Sequence, residues 1–478
     1  MKKSASVLFL LLFALYPLWY GGGYRTLEQD KYPVFLVLCG LLTALILVFA
    51  VTKLFKKDNR ISVKNIPAYA VFAAALLFCL TVSAIFSPYQ DRVWLGGQRR
   101  DGLLTWALYL GVFFAAAKWG KLTRAHTAAL GLCFAFTAVL AFVQKLDLNP
   151  LGLYPEGYTF SHRGSGFLST LGNVDFLSAF SVLGTALLLG DYVTGAKKTG
   201  RISLAGVMFA TLSLRLSDAQ TGRVTLCVTL FICLWFALKD RSRCSRYFVG
   251  IAAILAAMAL LACFHNQKTP NGRIVLFYPT AKTLRRVILL LLSLLAALAA
   301  KKLPVPAWVR KKRAAAALLF MAGILLAGTA VLFFFGRTFG TTAAQLQMLL
   351  HGRVPKCLGS GRFAIWEQTW TLIRQRMLLG GGPDTMGLRN TLSAADSPHS
   401  LFLQIWVNGG LFSLLSFCLL LGAVLLLAFR RRTDGAFLYA LPSVAYLVQA
   451  AVSVDEFIVA PVFWAVLGLL AAESSGNT

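Results

Sequence analysis

The chain has 478 residues, of which 58% are hydrophobic and 14% are charged, and its mean hydropathy is +0.70. Soluble domains carry about 25% charged residues, so this composition excludes a soluble protein and indicates one embedded in a lipid bilayer. Lysine and arginine outnumber the acidic residues by 47 to 18, but no basic, aromatic-rich soluble domain remains outside the apolar segments, which excludes a nucleic-acid partner.

Apolar stretches that could cross a bilayer as helices follow one another along the chain. They number about fourteen, but three are short, residues 103–117, 203–217 and 287–300, so the count is about 12–14. The remaining predicted spans are residues 5–23, 33–52, 66–86, 127–144, 171–190, 223–238, 247–264, 314–335, 404–428, 436–453 and 457–472. The sequence therefore predicts an all-α polytopic membrane protein.

Clusters of lysine and arginine beside the predicted spans set the orientation of the chain. Such residues concentrate in short connections on the cytoplasmic side of a membrane. The clusters are found at residues 53–60, 301–313 and 430–432. They predict a multi-pass protein of the plasma (inner) membrane with both termini in the cytoplasm.

One extramembrane segment, residues 336–403, is far longer than the others, and the same orientation makes it extracytoplasmic. It divides the chain into the helices of residues 1–335, the loop itself, and residues 404–478 with three helices and a cytoplasmic tail. Long loops with structure of their own are usually functional. The external segments carry more basic than acidic residues, which indicates an anionic ligand. The alternative is that these side chains extend to phospholipid headgroups.

Within this loop the sequence predicts an amphipathic helix over residues 362–379. Apolar residues recur there at helical spacing, namely Phe363, Trp366, Trp370, Ile373 and Met377. Ser360 is a candidate N-cap, and the glycines that start at Gly380 end the helix. The helix can rest in the interface plane with its tryptophans at headgroup level, and it can also cover a cavity that opens toward lipid.

Two motifs follow this helix. The first is Gly380-Gly-Gly-Pro-Asp-Thr-Met386, and the second is His399-Ser-Leu-Phe-Leu403 at the start of a span. Together they resemble the O-antigen ligase and polymerase superfamily, in which the turn reads Gly-x-Gly-Pro-Asp/Gly-Thr-Phe and the second motif reads His-Asn-x-x-Leu. Ser400 stands where the family commonly has asparagine.

Three further segments are similar to the same family. Ser169-Thr-Leu-Gly-Asn-Val-Asp-Phe-Leu177 resembles its Gly-Asn-x-Asn-Phe-Leu sequence, and Ser217-Asp-Ala-Gln-Thr-Gly-Arg223 resembles its Ser-Arg-Gly segment with glycine and arginine reversed. Gly97-Gln-Arg-Arg-Asp-Gly-Leu-Leu-Thr-Trp106 is similar to an external turn of Gram-positive members. The resemblance runs from about residue 97 to 428 and is strongest at 359–412.

This resemblance implies a GT-C-like membrane enzyme. Such an enzyme transfers a glycan from an undecaprenyl diphosphate donor to a glycan or glycolipid acceptor hydroxyl on the extracytoplasmic face, without a metal or a cofactor. The resemblance does not separate a ligase, which uses a different acceptor, from a polymerase, which joins repeat units. The sequence has no P-loop and no His-Glu-x-x-His zinc motif, so it implies neither ATP nor metal.

The candidate catalytic residues are Arg362, Arg223 and His399. Without a metal, the charge of a departing diphosphate is met best by arginine, whose planar group pairs with phosphate oxygens. An imidazole can accept the proton of the attacking hydroxyl at neutral pH. The alternatives are arginines that are merely solvated at loop–helix junctions and a histidine that caps the helix starting near Ser400.

Asp384 and Arg100 are candidate substrate-binding residues. Asp384 can orient an arginine or bind acceptor hydroxyls, although aspartate after proline is also a common turn residue. Arg99, Arg100 and Asp101 either contribute to a diphosphate site or stabilise their own turn by charge pairing.

A different class of protein, a lipid-linked oligosaccharide flippase, shares the predicted number of spans and an anionic substrate. Transporters of that kind need charged or broken helices near the bilayer midplane. The predicted spans here are nearly free of charge, and the polar residues gather in one external loop. The sequence therefore favours chemistry at the membrane surface over transport.

Overall fold

A computed structural model describes residues 1–55, 66–155, 166–195, 199–269, 272–303, 305–312, 341–353, 361–390 and 395–475, with scattered positions between 315 and 329. Most of the predicted span 314–335 lies outside the described residues.

The N-terminal half is a series of helices. They are α1 (Lys2–Leu10), continued by a π-helical turn (Leu11–Leu15) into α2 (Tyr16–Leu18), then α3 (Leu27–Phe55), α4 (Ala68–Ile85), α5 (Gln90–Val93), α6 (Leu103–Trp119), α7 (Arg124–Lys145), α8 (Val174–Thr194), α9 (Gly200–Ser217), α10 (Gln220–Ala237) and α11 (Arg241–Ala262).

The C-terminal half begins with a β-hairpin. It contains β1 (Phe264–Thr269), β2 (Gly272–Phe277), α12 (Ala281–Lys302), α13 (Ala307–Lys311), α14 (Thr341–Leu350), α15 (Arg362–Gln375), α16 (Met386–Arg389), α17 (Leu401–Arg431), α18 (Asp434–Ala450) and α19 (Ala460–Ser475). The strands pair antiparallel, with Phe264 opposite Phe277.

The structure is 76% helical and confirms the all-α polytopic class. Among the described residues, eight helices are long and apolar enough to cross a membrane, and α6 and α19 are shorter apolar helices. The hairpin differs from the expectation, because α11 ends at Ala262 and the chain then turns back as two strands. Hydropathy alone does not reveal so short a pair of strands.

The core of the helical bundle lies around α8 and α19, whose residues are almost all buried. Trp464 of α19 stacks on Tyr109 of α6 with ring centroids 6.0 Å apart. A Cβ added to Gly468 would collide with the carbonyl oxygen of Phe113, so this glycine allows the two helices to approach closely. Small residues at such contacts are typical of membrane bundles, because close backbone approach increases van der Waals contact.

The bundle has two ends of different character. Arg243 at the start of α11 pairs with Asp434 at the start of α18 at 2.8 Å, which places these termini at one end. The chain segments around residues 97–101, 380–404 and 455–456 meet at the other end, as the contacts described below show. The first end carries the basic clusters at residues 301–302 and 430–432, and the second holds the candidate functional site.

Candidate functional site

A break inside α17 forms the foundation of the site. Gly410 has φ +78°, so the helical hydrogen bonding is interrupted there. The interruption leaves the carbonyls of Val407 and Asn408 available, and they accept hydrogen bonds from the backbone N–H groups of Gly381 (3.0 Å) and Gly382 (2.8 Å). A Cβ at Gly410 would collide with the carbonyl of Leu378. The glycine turn therefore docks directly on the broken helix.

Two serines of the neighbouring segment lock this turn in place. The hydroxyl of Ser87 donates to the carbonyl of Gly381 at 2.6 Å, and that of Ser83 in α4 donates to the carbonyl of Asn408 at 2.7 Å. Each hydroxyl is buried, where a satisfied hydrogen bond is needed to offset the loss of water. The turn predicted from Gly380–Pro383 is thus held by α4 and α17 together.

The helix α15 lies over this foundation. Arg389 joins it to α17 by donating from Nη2 to the carbonyl of Leu372 (2.8 Å) and from Nη1 to the carbonyl of Val407 (3.0 Å). The indole N–H of Trp366 donates to the carbonyl of Pro398 at 2.9 Å. These contacts fix the start of α15 beside His399.

The amphipathic helix is present but differs in detail from its prediction. It ends at Gln375 rather than Leu379, with Gly361 at the N-cap, while Ser360 lies outside the described residues. Its buried face consists of Thr369, Leu372 and Ile373. Phe363, Trp370 and Met377 are exposed. An apolar stripe that is exposed on the protein agrees with a helix resting at the membrane interface.

A cavity of about 560 Å³, here named the transfer cavity, opens between the start of α15 and the ends of α8, α10 and α18. Its lining includes Asp175, Asp218, Arg362 and His399. Arg362 donates from Nη2 to Oδ2 of Asp175 at 3.2 Å, and both side chains are mostly buried. Asp175 lies in the first turn of α8, where the helix dipole stabilises a carboxylate. The structure thus brings together two of the five candidate residues, Arg362 and His399.

His399 is held by its backbone and leaves its ring available. Its φ is +51°, and its N–H donates to the hydroxyl of Ser397 at 3.3 Å. The ring atom Nδ1 is buried and has no hydrogen-bond partner within the described residues. Ser400 is the N-cap residue of α17, and no side chain caps this helix end. The arrangement does not support the alternative that His399 is a helix cap.

The charge environment of His399 favours the neutral imidazole. Burial lowers its pKa from the usual value of 6.5, and the cations Arg362 and Arg99 lower it further, while Asp175 and Asp396 act in the opposite direction. A neutral imidazole can accept a proton. The position is therefore suited to a general base at neutral pH.

Arg223 lies at the edge of this arrangement. Its Nη2 donates to the backbone carbonyl of Asp218 at 3.4 Å and lies 3.7 Å from that carboxylate. Asp218 lines the transfer cavity, whereas Arg223 is outside the described lining and 44% exposed. Arg223 is thus connected to the cavity through Asp218.

The remaining two candidates lie in a neighbouring group of charges. Asp384 has φ +56°, and its carboxylate accepts a hydrogen bond from the N–H of Gly97. Burial raises the pKa of Asp384, and the N–H groups of Gly97 and Asp101 lower it. The guanidinium of Arg100 lies over the ring of Tyr32, 5.4 Å from its centroid. Neither candidate belongs to the described lining of the transfer cavity.

Arg99 is the centre of this group, here named the anchor cluster and formed by Arg99, Asp396, Glu456, Asp384, Asp101 and Gln404. Arg99 pairs with Glu456 and lies 2.8 Å from Asp396. Although burial lowers the pKa of Arg99, these two carboxylates raise it above its usual range. The expectation that Arg99 pairs within its own turn is not met, because its partners come from distant segments.

A second chain of hydrogen bonds crosses the anchor cluster. Nε2 of Gln404 in α17 donates to Oδ2 of the buried Asp101 at 2.6 Å, and the hydroxyl of Ser397 donates to Oε1 of Gln404 at 3.4 Å. Because Ser397 also accepts from the N–H of His399, the chain links the external turn before α6 to the backbone of His399.

The sequence motifs contain Asp175 but do not identify it as a site residue, and they do not identify Asp396, Glu456 or Gln404 either. One feature of the sequence indicates Glu456, because Asp455 and Glu456 lie between two apolar stretches. Acidic residues so close to membrane spans are usually paired with another polar group and functional. The partner of Glu456 is Arg99, which is 357 residues away in the chain. The local sequence around Glu456 therefore does not indicate it.

Residues 283–418 match the family model described as O-antigen ligase. The matched region begins in α12 and ends within α17, so it contains α15, the glycine turn, the break at Gly410 and His399. No curated protein matches the sequence.

Proposed function

We propose that this chain, whose residues 283–418 match the family model described as O-antigen ligase, belongs to that superfamily and has the following activity. The protein transfers a glycan from an undecaprenyl diphosphate donor to the hydroxyl of a glycan or glycolipid acceptor during assembly of a cell-surface polysaccharide. The observation that carries this proposal is the presence of Arg362 and His399 in one cavity, with Nδ1 of His399 free of a protein partner among the described residues.

Arg362 is proposed to hold the departing diphosphate. When the bond between the anomeric carbon and the diphosphate oxygen breaks, its electron pair stays on that oxygen, and the new negative charge needs a cation. Arginine donates several hydrogen bonds in a plane that matches phosphate oxygens. Asp175 holds the guanidinium in position before the donor arrives, since it contacts one of its nitrogens.

His399 is proposed to activate the acceptor. The acceptor oxygen forms the new bond to the anomeric carbon, and its proton passes to the neutral imidazole. The lowered pKa of His399 keeps the ring unprotonated at neutral pH, and a base near the operating pH contributes about 10²–10⁴ in rate. The departing diphosphate gains one negative charge and the imidazole gains one positive charge, so the step balances. The proposed step uses neither a metal nor a nucleotide.

The extracytoplasmic face is proposed for the reaction from the distribution of basic residues. The end of the bundle with Lys301, Lys302 and Arg430–Arg432 is the cytoplasmic one by the positive-inside rule. The transfer cavity is at the opposite end. The same rule places both termini in the cytoplasm and the segment 336–403 outside, between the helices of residues 1–335 and those of 404–478.

The test is reconstitution of the full chain in liposomes with a radiolabelled undecaprenyl-diphosphate glycan, an acceptor and EDTA. We expect labelled product from the wild type and a loss of about 10²–10⁴-fold for His399→Ala and about 10²–10³-fold for Arg362→Ala. Matched controls are His351→Ala and Arg374→Ala, which alter an exposed histidine and an exposed arginine of α15 outside the described cavity lining; both should retain activity.

Equal activity of all four variants would remove these assignments. Dependence of the wild type on a divalent metal would contradict the metal-free mechanism. Movement of the labelled lipid between leaflets without a new glycosidic bond would instead identify a flippase.

A further inference from the structure

A second cavity, of about 300 Å³, lies beside the transfer cavity and is here named the basic cavity. The ends of α7, α9 and α11, the first residues of β1 and the start of α12 form its walls. The cations in its described lining are Lys145, Arg215, Lys282 and Arg286, and the carboxylate there is Asp218. This composition favours an anion with more than one negative charge or several acceptor oxygens.

The geometry of two arginines keeps these cations at the cavity. Nη1 of Arg286 donates to the carbonyl of Met258 at 2.9 Å, which fixes its guanidinium against α11. Nη1 of Arg215 lies 3.8 Å from the carboxylate of Asp218, a distance longer than a hydrogen bond. Each guanidinium therefore keeps further N–H groups for a ligand, since arginine has five.

An apolar groove of about 200 Å³ continues directly from the basic cavity. Leu216, Leu261 and Phe264 line both spaces. Unlike the basic cavity, the groove has an entirely apolar lining within the described residues, which also includes Phe142 and Phe209. Val139 and Leu260 of this groove are more than half exposed, so the groove opens sideways between α7 and α11, where lipid chains surround the bundle.

We propose that the basic cavity and this groove form a second lipid site, which binds the phosphate headgroup of a membrane lipid in the cavity and its hydrocarbon chain in the groove. The cationic cavity matches the anionic headgroup of such a lipid. The adjoining apolar groove matches the hydrocarbon chain that is attached to the headgroup. Cationic residues attract anionic headgroups at a membrane surface, and the buried chain adds stabilisation in proportion to its apolar area.

This site is separate from the transfer cavity but shares a wall with it. Asp218 lines both spaces, and it lies between Arg215 on one side and Arg223 on the other. A lipid phosphate bound to Arg215 would compete with Asp218 for that guanidinium. Lipid binding at this site does not depend on the proposed transfer reaction.

The test is native mass spectrometry of the full chain, purified in a neutral detergent and titrated with phosphatidylglycerol, a polyprenyl phosphate, phosphatidylcholine or inorganic phosphate. We expect the wild type to retain phosphatidylglycerol, the polyprenyl phosphate or both in preference to phosphatidylcholine. The relative retention of the two anionic lipids shows which source of phosphate the site takes. The double variant Lys282→Ala/Arg286→Ala should bind the preferred lipid about 30-fold more weakly, since two basic residues at a membrane surface are lost.

Two further variants separate the headgroup from the chain. Arg285→Ala removes a cation from the same helix at an exposed position outside the described lining, and it should bind as the wild type does. Val139→Trp fills the exposed side of the groove and should weaken binding of the lipid but not of inorganic phosphate. Equal loss in Arg285→Ala and the double variant, retention of inorganic phosphate alone, or no preference for anionic lipid would each overturn the proposal.

Discussion

The transfer cavity and the anchor cluster lie side by side at one end of the bundle, and residues 380–404 contribute to both, yet the two treat charge differently. In the anchor cluster, Arg99 pairs with two of the protein's own carboxylates, Asp396 and Glu456, and only its Nε has no hydrogen-bond partner among the described residues. In the transfer cavity, within the part of the chain that the structure describes, one carboxylate pairs with Arg362 and Nδ1 of His399 has no hydrogen-bond partner. The two regions differ in how their arginines are compensated, because among the described residues two carboxylates pair with Arg99 and one pairs with Arg362.

Removal of Glu456 is the strongest test of the difference between the two regions. Glu456→Ala leaves the mostly buried Arg99 without its closest partner, and we expect the free energy of unfolding to fall by about 3–5 kcal/mol. Thermal unfolding in detergent measures the effect. His399→Ala should leave the unfolding temperature nearly unchanged although it lowers transfer about 10²–10⁴-fold.

The matched control for this change is Glu367→Ala, which removes an exposed carboxylate of α15 and should alter stability by no more than about 0.5 kcal/mol. If Glu456→Ala is as stable as Glu367→Ala, the anchor cluster is not structural and the contrast with the transfer cavity is lost.

The break in α17 supports both regions, so its removal should affect them together. In Gly410→Ala, a residue with a side chain must adopt φ +78° and its Cβ must displace the carbonyl of Leu378. We expect the free energy of unfolding to fall by about 1–3 kcal/mol. Transfer activity should also fall, because the glycine turn is held by hydrogen bonds to the broken part of α17. Unfolding and transfer assays of the same preparations measure both effects.

Gly422→Ala in the same helix is the control, because a Cβ there meets open space. It should be neutral in both assays. Unimpaired activity of Gly410→Ala would show that the broken helix does not position the turn.

The smallest expected effect is a shift of the pH profile, which tests the charges around His399 one at a time. The base acts when neutral, so kcat/KM should fall as the pH drops through the pKa of His399, which lies below 6.5. Arg362→Gln removes a neighbouring cation, raises that pKa and moves the acidic limb to higher pH. Asp175→Asn removes an anion, lowers the pKa and moves the limb to lower pH.

The measurement is kcat/KM of the residual activity between about pH 4 and 8. Its pH dependence reports the pKa of the essential base in the free enzyme. Limbs that move in the same direction in both variants would mean that His399 is not the titrating base.

Several features of the fold could be predicted because they depend on neighbouring residues in the sequence. The spans that correspond to α3, α4, α7 and α8 follow from continuous apolar stretches, and their ends shift by only a few residues. The helix α15 follows from the spacing of its aromatic residues, but its buried face does not, because hydrophobic residues can face either protein or lipid in a membrane protein. The prediction of about 12–14 transmembrane helices stays a prediction, since most of one span lies outside the described residues.

The candidate site likewise contains residues that could be selected from the local sequence and residues whose roles could not be tested. His399 could be selected because its motif is contiguous and resembles a family, and Arg362 because it begins the predicted amphipathic helix. Both residues line one cavity in the structure. The assignment of roles to Arg223, Asp384 and Arg100 stays a prediction, and the structure gives each of them a contact with a protein group, Asp218, Gly97 and Tyr32 respectively.

A helical membrane protein with a basic bias and a structured loop could be predicted from the amino-acid order alone, because hydropathy, charge and helical spacing act over neighbouring residues. The folded molecule was needed to find that Asp175 pairs with Arg362, that Glu456 pairs with Arg99, and that Asp218 lines two cavities. These contacts join segments hundreds of residues apart, and such pairings are set by how helices pack, which no local pattern records.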